Sequence, residues 1–320
     1  HRLRRVDRHR GPTHGIRDPL MTRVLACGGL TIDWLQTAEG RIGPFLGGNA
    51  AYSAVGAWLA GADAEVVAVT GDDYPAELLE ELSAAGIGTT SVRVDPGPSF
   101  RVLLDESGPR RTISYLPGSG RNDRLDPLPS QLPLPAPGDA MHICAIPGRS
   151  QRALLAAARR RRQVVTLDTV LIPGEIEPHT ETLLELARDA SVFMPSRDEL
   201  EHHWPGGIEA ALDHLTAAGC ARVIVKLGAE GSVGRDGHTS VRLPAVATEV
   251  VDPIGAGDAY CGAACARLAM GESLPEAMSW GAAAASVVIE GHGAARALTP
   301  AARTTVAERA RSLRAEPITA

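Results

Sequence analysis

Asp252–Asp258 reads Asp-Pro-Ile-Gly-Ala-Gly-Asp, after a segment that we expect to be extended, Val246–Val251, and before one with a helical pattern, Ala259–Met270. A glycine-rich turn therefore opens a helix at this point. The first backbone N–H groups of a helix have no partners inside it, and the helix dipole adds partial positive charge there. Because glycines remove the side chains that would block close approach, the turn predicts a site for a phosphate oxygen.

Asp258, the last residue of this turn, has two possible roles. Its carboxylate could take the proton of an attacking hydroxyl while Gly255, Ala256 and Gly257 hold the charge that develops on a phosphoryl group. The alternative is a helix N-cap, because Asp is a favoured capping residue and glycine is common in turns. The residue types of the turn by themselves leave both roles open.

The chain before this turn alternates strand-like and helix-like segments, which predicts an α/β fold with a central, mostly parallel sheet flanked by helices. The predicted strands are Val24–Cys27, Glu65–Val69, Met141–Ala145, Val164–Leu167, Val192–Met194 and Val223–Leu227. The predicted helices are Ala50–Leu59, Pro75–Ala85, Ser150–Arg162, Thr180–Ala187 and Ile208–Ala218.

Two segments break this alternation and predict a second, smaller sheet. Ile32–Phe45 and Phe100–Leu116 each resemble two strands around a polar turn, with no helix-length segment beside them. We expect them to form a small antiparallel sheet that stands off the main one as a lid. Pro127–Pro137 carries five prolines and is interpreted as an extended connector.

Composition excludes several classes of protein. The chain has 320 residues and a formal net charge of −6, so it lacks the surplus of basic residues that is typical of a nucleic-acid-binding protein. None of its five cysteines forms a CxxC pair, which favours buried, reduced thiols and a cytoplasmic location. No apolar run approaches the ~20 residues of a membrane span. We expect residues 1–20 to be a disordered extension and residues 21–320 to be one domain.

Two motifs together resemble a known family. Asp252–Asp258 is similar to the C-terminal signature of the PfkB, or ribokinase-like, carbohydrate kinases, although Pro253 replaces the usual Thr. Gly47–Tyr52, Gly-Gly-Asn-Ala-Ala-Tyr, resembles the N-terminal signature of the family, with Tyr52 where many members have Asn. The resemblance implies a ribokinase-like fold with a β-sheet lid, and an ATP-dependent phosphotransferase that acts on a hydroxyl group.

The resemblance also implies roles for residues on the side of the phosphate acceptor. Asp258 would be the catalytic base, and Gly255, Ala256 and Gly257 would form the anion hole. Asp33 falls where the family places an acid that binds substrate hydroxyls, and a carboxylate can accept two hydrogen bonds from a vicinal diol. Its alternative role is that of an acid in a surface turn. Gly48 and Asn49 would lie under the same substrate.

The nucleotide side of the implied site includes a position for Mg²⁺. Glu199 would orient Mg²⁺ through water, whereas Ser196 replaces the Asn of the family pattern and could instead be a helix N-cap. Gly228 and Gly231 would let the backbone approach ATP. Lys226, the only lysine in the chain, could reach a phosphate or could be a solvated strand end.

The acceptor is not specified by these motifs: it could be a sugar, a cyclic polyol or a nucleoside. Low aromatic content gives few stacking surfaces for a base, so a sugar or a cyclic polyol such as an inositol is preferred. Asp168-Thr169-Val170 departs from the D-x-N-x-R run of some sugar-acid kinases of the family. A monovalent cation and a homodimer through the lid are further expectations from the resemblance. The alternative function is a nucleotide- or sugar-binding regulator of the same fold that has lost turnover.

Overall fold

A computed structural model describes residues 22–107, 112–120, 125–161, 163–169 and 179–318. Its strands are β1 Arg23–Cys27, β2 Thr31–Thr37, β3 Gly40–Gly47, β4 Asp63–Gly71, β5 Gly88–Asp95, β6 Phe100–Asp105, β7 Thr112–Tyr115, β8 Asp139–Ile143, β9 Val164–Leu167, β10 Val192–Phe193, β11 Arg222–Lys226, β12 Ser232–Asp236, β13 Thr239–Leu243 and β14 Glu316–Pro317. Its α-helices are α1 Asn49–Leu59, α2 Ala76–Ala84, α3 Gly148–Arg160, α4 Thr180–Asp189, α5 Arg197–His203, α6 Ile208–Ala217, α7 Ala256–Ala269, α8 Leu274–Val288 and α9 Pro300–Ser312. The N-terminal extension expected at residues 1–20 lies outside the described residues.

The main sheet has ten strands in the order β14-β13-β12-β11-β10-β9-β8-β1-β4-β5. Every pair from β11 to β5 is parallel, whereas β12, β13 and β14 add antiparallel strands at one edge. The prediction of a mostly parallel sheet is therefore confirmed. Parallel strands place all their carboxyl ends at one edge of the sheet, where ligands of open α/β folds bind.

Helices cover both faces of this sheet, as strand β1 illustrates. Val24 and Ala26 belong to one apolar cluster, together with residues of α1, α7, α8 and α9. Leu25 and Cys27 point the other way, into a cluster with residues of α3, α4, α5 and α6. Because successive side chains of a strand point to opposite faces, a continuous apolar run is what a strand buried on both faces requires.

The second sheet has four strands in the order β3-β2-β6-β7. The two expected strand pairs, β2 with β3 and β6 with β7, are antiparallel. The central pair, β2 with β6, is parallel, so the sheet is mixed and the expectation of an antiparallel sheet is wrong on this point. The reason is the connection: between β3 and β6 the chain passes through α1, β4, α2 and β5, and this long crossover lets β6 enter beside β2 in the same direction.

Several elements were not predicted from the sequence: strand β5, the hairpin β12–β13, and helices α8 and α9. The expected connector at 127–137 contains one short 3₁₀ turn, Pro129–Gln131. Among the helices of the described residues, none combines the length and the apolar character needed to cross a bilayer.

Candidate active site

Three polar residues meet at the carboxyl edge of the main sheet. Asp168 follows β9, Ser196 lies just beyond β10, and Lys226 ends β11. Ser196 and Lys226 form an isolated parallel bridge, and the Lys226 N–H donates to the Pro195 carbonyl at 2.9 Å. These neighbouring strand ends therefore bring together residues that are about 30 positions apart in sequence.

The glycine-rich turn forms the N-terminus of α7. Gly255 is the N-cap residue with a φ of 74°, a left-handed conformation that favours glycine. The first helical hydrogen bond runs from the Ala259 N–H to the Gly255 carbonyl at 2.9 Å. Before the turn, the Asp252 N–H donates to the Ile289 carbonyl at 3.0 Å, which anchors the approach to the helix. The backbone thus has the form expected of an anion site at a helix N-terminus.

Asp258 is the third residue of α7, so the role of N-cap belongs to Gly255 and not to Asp258. Burial raises the pKa of Asp258 to about 7; the negative charge of Asp168 acts in the same direction, and the positive charge of Lys226 opposes it. A carboxylate with a pKa near neutrality is well suited to accept a proton from a hydroxyl group.

Helices α1 and α7, which begin at the two sequence motifs, pack with their backbones in close contact. A β-carbon on Gly56 would lie 2.1 Å from the Ala259 carbonyl oxygen, and one on Gly262 would lie 1.9 Å from the Ser53 carbonyl oxygen. Only glycine fits at either position. The two motifs are therefore held against each other, a relationship that the sequence analysis did not identify.

Asp33 lies on β2 of the small sheet and is 4% exposed, which excludes the alternative of an acid in a surface turn. Its Oδ1 accepts a hydrogen bond from Thr31 Oγ1 at 2.5 Å. Burial raises the pKa of Asp33 to about 7, the hydrogen bond from Thr31 opposes this, and the charge of Asp252 adds to it. A β-carbon on Gly47 would lie 2.0 Å from the Asp33 carboxylate, so the glycine makes room for this acid.

Gly48 and Asn49 connect the start of α1 to the turn after β1. Gly48 has a φ of 96°, and a β-carbon there would lie 2.4 Å from the Gly29 carbonyl oxygen. The amide of Asn49 accepts from the Gly29 N–H at 2.8 Å and donates to the Ala145 carbonyl at 2.8 Å. Both residues shape the backbone beside Asp33, and the Asn49 side chain makes these contacts with the backbone.

Lys226 forms an ion pair with Asp168. Its Nζ lies 2.6 Å from Asp168 Oδ2 and 3.4 Å from Cys261 Sγ, and its side chain is 13% exposed. The alternative of a solvated strand end is therefore excluded. Although burial alone would lower the pKa of Lys226, the charge of Asp168 raises it well above its usual range, which favours the charged form of the lysine.

Glu199 and Ser196 form a capping box at the start of α5, as expected from the alternative role of Ser196. Glu199 Oε2 accepts from the Ser196 N–H at 2.7 Å, and Ser196 Oγ accepts from the Glu199 N–H at 3.4 Å. Burial raises the pKa of Glu199, with a further contribution from the charge of Asp168. Carboxylate oxygens are ligands that Mg²⁺ accepts directly or through water, so the residues present fit a magnesium site.

The expected nucleotide loop follows β11 as a short 3₁₀ turn, Gly228–Glu230. Gly228 has a φ of 59° and open space where a β-carbon would stand. Gly231 has a φ of 91°, and a β-carbon there would lie 2.0 Å from the Leu243 carbonyl oxygen. The open side of Gly228 leaves room for a ligand, whereas Gly231 is required by the close passage of the chain beside the end of β13.

Two residues near the site were not assigned a role from the sequence. In the sequence, Asp168 was noted only because its segment departs from the D-x-N-x-R run of some sugar-acid kinases. An acid directly after a buried strand nevertheless indicates a site at the edge of a sheet. His292 lies with Nδ1 3.3 Å from Asp252 Oδ2, and its ring centroid is 6.1 Å from that of Phe45 on β3. His292 therefore connects the small sheet to Asp252, the first residue of the glycine-rich motif.

Comparisons with known proteins identify the fold and the family of the chain. A cytidine kinase of Thermococcus kodakarensis is 27% identical over 281 residues, which is 85% of this chain and 98% of that protein. The solved structure of aminoimidazole riboside kinase from Salmonella enterica, complexed with aminoimidazole riboside and an ATP analogue, has a TM-score of 0.75 at 24% identity and covers 89% of this chain and 100% of its own. Fructokinase from Vibrio cholerae O395, in its fructose, ADP and calcium ion bound form, has a TM-score of 0.75 at 22% identity and covers 90% of this chain and 99% of its own.

The solved structures share the arrangement of a large sheet with helices and a smaller separate sheet, and the ribokinase-like fold is thereby confirmed. The profile described as pfkB family carbohydrate kinase matches residues 21–302, a range that includes both sequence motifs and every residue of the site described above. The chain belongs to the pfkB family of carbohydrate kinases.

Proposed function

We propose that the protein transfers the γ-phosphoryl group of ATP to a hydroxyl group of a sugar, a cyclic polyol or a nucleoside. One observation supports this most: the N-terminus of helix α7, with Gly255 as its cap, is combined in one turn with the carboxylate of Asp258, whose pKa burial raises to about 7. Donors that bind phosphoryl oxygens and a base for the attacking hydroxyl are the two components that phosphoryl transfer needs from the protein.

In the proposed reaction, the acceptor oxygen forms a bond to the γ-phosphorus while the bond from that phosphorus to the β–γ bridging oxygen breaks. The acceptor proton passes to the carboxylate of Asp258, and ADP is the leaving group. The backbone N–H groups of Gly255, Ala256 and Gly257 hold the charge that develops on the phosphoryl oxygens. Asp258 needs to be ionised before the step, so activity is expected to fall below about pH 7.

On the nucleotide side, Gly228 and Gly231 would lie along ATP, and Lys226 would act close to the phosphates. Glu199 would hold Mg²⁺ through water, and Mg²⁺ would neutralise phosphate charge. The capping hydrogen bond from the Ser196 N–H orients the Glu199 carboxylate for this purpose. The ADP and calcium ion named for the Vibrio cholerae fructokinase support a nucleotide and a metal; magnesium and the additional monovalent cation stay predictions.

On the acceptor side, the buried carboxylate of Asp33 would accept hydrogen bonds from two neighbouring hydroxyls, with Gly48 and Asn49 beneath them. A sugar or a cyclic polyol has such a pair of hydroxyls, and so does the ribose of a nucleoside. We prefer a sugar or cyclic polyol because the chain has few aromatic side chains; the cytidine kinase among the relatives keeps a nucleoside as the second candidate. The regulator without turnover has no support, since Asp258 and the glycine-rich turn are both in place.

An assay of ADP release against a panel of sugars, cyclic polyols and nucleosides tests the proposal. We expect one chemical class to raise ADP formation at least tenfold over ATP alone, and mass spectrometry to find an acceptor heavier by one phosphoryl group. Binding of panel members without any acceptor-dependent ADP would instead favour the regulator. Titration of Mg²⁺ and K⁺ in the same assay checks both expected cations.

Three further expectations stay predictions. A homodimer through the small sheet would cover side chains that are exposed there, including Ile42, Ile113 and Tyr115. The five cysteines are free and buried, as a reducing cytoplasm would permit. The prediction that the protein does not bind nucleic acid rests on its net charge alone.

A further inference from the structure

An aromatic side chain lies beside Asp33, the acid on the acceptor side of the site. Phe45 on β3 is the direct cross-strand partner of Asp33 on β2. Opposed residues of two antiparallel strands point to the same face of the sheet, with their β-carbons about 4.5–5.5 Å apart. Phe45 is partly exposed, so a ligand on the Asp33 carboxylate is close enough to contact the Phe45 ring.

The rings of Phe45 and His292 form one aromatic surface, which extends from the small sheet towards the glycine-rich motif. Their centroids are 6.1 Å apart, the spacing of two aromatic rings in contact, and the rings are inclined at 34°. A β-carbon on Gly293 would lie 3.1 Å from Phe45 Cβ, so the main chain beside His292 passes close to the small sheet. The His292 side chain is 27% exposed, and its ring is therefore accessible to a ligand.

Asp252 fixes the orientation of the His292 ring. His292 Nδ1 lies 3.3 Å from Asp252 Oδ2, while Asp252 Oδ1 accepts a hydrogen bond from the Ile254 N–H at 3.0 Å. The side chain of Asp252 is 2% exposed. Because a carboxylate accepts hydrogen bonds, Nδ1 of the neutral imidazole carries the proton, and Nε2 is the acceptor on the side of the ring away from Asp252.

We propose that Phe45 and His292 determine the specificity for the acceptor: the Phe45 ring packs against the C–H face of a cyclic sugar or cyclic polyol, and His292 Nε2 accepts a hydrogen bond from one of its hydroxyls. This inference rests on the proposed role of Asp33 in holding the acceptor. Asp33 and His292 both offer hydrogen-bond acceptors, and Phe45 offers an apolar surface. The three side chains therefore suit a ligand with several hydroxyl donors around a saturated ring.

The spacing of these side chains favours the ring that carries the hydroxyls over a base attached to it. Phe45 is only one cross-strand spacing from Asp33. A vicinal diol that binds Asp33 therefore brings its own ring over Phe45, whereas the base of a nucleoside, joined to another carbon of that ring, extends beyond it. The C–H bonds of a saturated ring carry partial positive charge, which the negative face of an aromatic ring attracts. Phe45 is thus expected to recognise the ring and not a base.

Binding of four probes tests the chemical class of the acceptor. Ligand-observed NMR titrations, with and without a non-hydrolysable ATP analogue, measure the Kd of myo-inositol, D-glucose, methyl β-D-ribofuranoside and cytidine. The last two probes share a ribose ring and differ in the base. We expect at least one of the first three to bind, and cytidine to bind no tighter than the riboside. Cytidine binding about tenfold tighter than the riboside, or no binding of the first three probes, would overturn the proposal.

Variants of Phe45 test the aromatic surface. Phe45→Leu keeps an apolar side chain but removes the aromatic face, so it should raise the Kd of the bound probe about fivefold. Phe45→Tyr keeps the face, and its Kd should stay within about twofold of wild type. Tyr115→Leu is the matched control, because Tyr115 is an exposed aromatic residue of the same sheet, on β7, two strands away from Asp33. A Phe45→Leu variant that binds the probe as tightly as Tyr115→Leu does would contradict the role of Phe45.

These titrations separate the present inference from the proposed function. They measure binding without turnover, so failure of the kinase reaction leaves them unaffected. Asp33→Asn should weaken every probe that binds, and it reports on the acid on which the inference rests. If Asp33→Asn weakens binding and Phe45→Leu does not, only the assignment of the aromatic surface fails.

Monodeoxy analogues of the bound probe test the hydroxyl contact of His292. In wild type, the analogue that lacks the hydroxyl bound by Nε2 should lose about fivefold in affinity. His292→Asn can still donate to Asp252 but has no atom at the place of Nε2, so it should bind this analogue and the parent probe equally. His292→Gln, whose amide reaches that place, should keep the discrimination. A His292→Asn variant that discriminates among the analogues as wild type does would overturn the contact.

Discussion

The aromatic ring of Tyr52, on α1, lies 2.2 Å from the position that a β-carbon on Gly255 would occupy. Tyr52, which replaces the Asn expected from the family resemblance, is 3% exposed. The Tyr52 ring packs against the glycine-rich turn at Gly255, where helices α1 and α7 meet. This contact explains why the turn tolerates no side chain at Gly255, beyond the conformational preference of its φ.

Gly255→Ala should therefore destabilise the protein and abolish most activity. The variant meets both the cost of a left-handed alanine, about 1–2 kcal/mol, and the collision with Tyr52. Gly271→Ala is the matched control, because Gly271 has a φ of 87° with open space at the β-carbon position. Thermal unfolding should show a clearly larger loss for Gly255→Ala, and adding Tyr52→Ala should recover part of it. Equal losses in the two single variants would mean that Tyr52 does not support the turn.

Asp33→Asn tests the acceptor side. The variant keeps the size of the side chain but removes the charge that would accept two hydroxyl hydrogen bonds. We expect KM for the acceptor to rise at least tenfold, while the affinity for ATP, measured by calorimetry, stays within about twofold. A variant that loses both affinities equally would show that Asp33 supports the site as a whole and does not bind the acceptor.

Ser196→Asn tests the metal side. The substitution restores the residue of the family pattern and can still cap α5, because Asn is as good an N-cap as Ser. The fold should therefore be kept, and the Mg²⁺ concentration for half-maximal activity should decrease. An unchanged Mg²⁺ titration would remove Ser196 from the metal site and leave it the capping role that the structure shows.

The stability of the protein should depend on the charge of Asp258. Its pKa is about 7 in the folded protein and about 4 in an unfolded chain, so its contribution to stability is fully present below about pH 4 and is lost as the pH rises through about 7. Asp258→Asn cannot ionise. Its melting temperature relative to wild type should therefore increase by a few degrees between pH 5 and pH 8. A difference that stays constant with pH would contradict the raised pKa.

The sequence was sufficient for the alternation of strands and helices, for the second sheet and for the residues of the two motifs. Local patterns carry this information, since an apolar run predicts a buried strand and a glycine-rich turn predicts a helix start. The pairing of β2 with β6 was predicted wrongly because the direction of a strand depends on the intervening chain and not on its own residues.

The partners of the site residues were not predictable in the same way. Lys226 and Asp168 are 58 positions apart, and no local pattern says that their side chains meet. Likewise, the glycines that let α1 and α7 touch look like ordinary small residues of an alanine-rich helix until the two backbones are seen together. Long-range contacts of this kind explain why the lysine was expected to point to a phosphate or to water.

Turnover of Asp258→Asn tests the central claim most directly. The variant keeps the size of the side chain and leaves Gly255 as the helix cap, so it should fold and still bind ATP through the backbone N–H groups of the turn. Single-turnover kinetics with the acceptor identified by the panel should show a loss of about 10²–10⁴-fold in the rate of phosphoryl transfer, the usual contribution of a positioned base. A rate within a few-fold of wild type would contradict the account, because Asp258 would then not be the group that takes the proton of the acceptor.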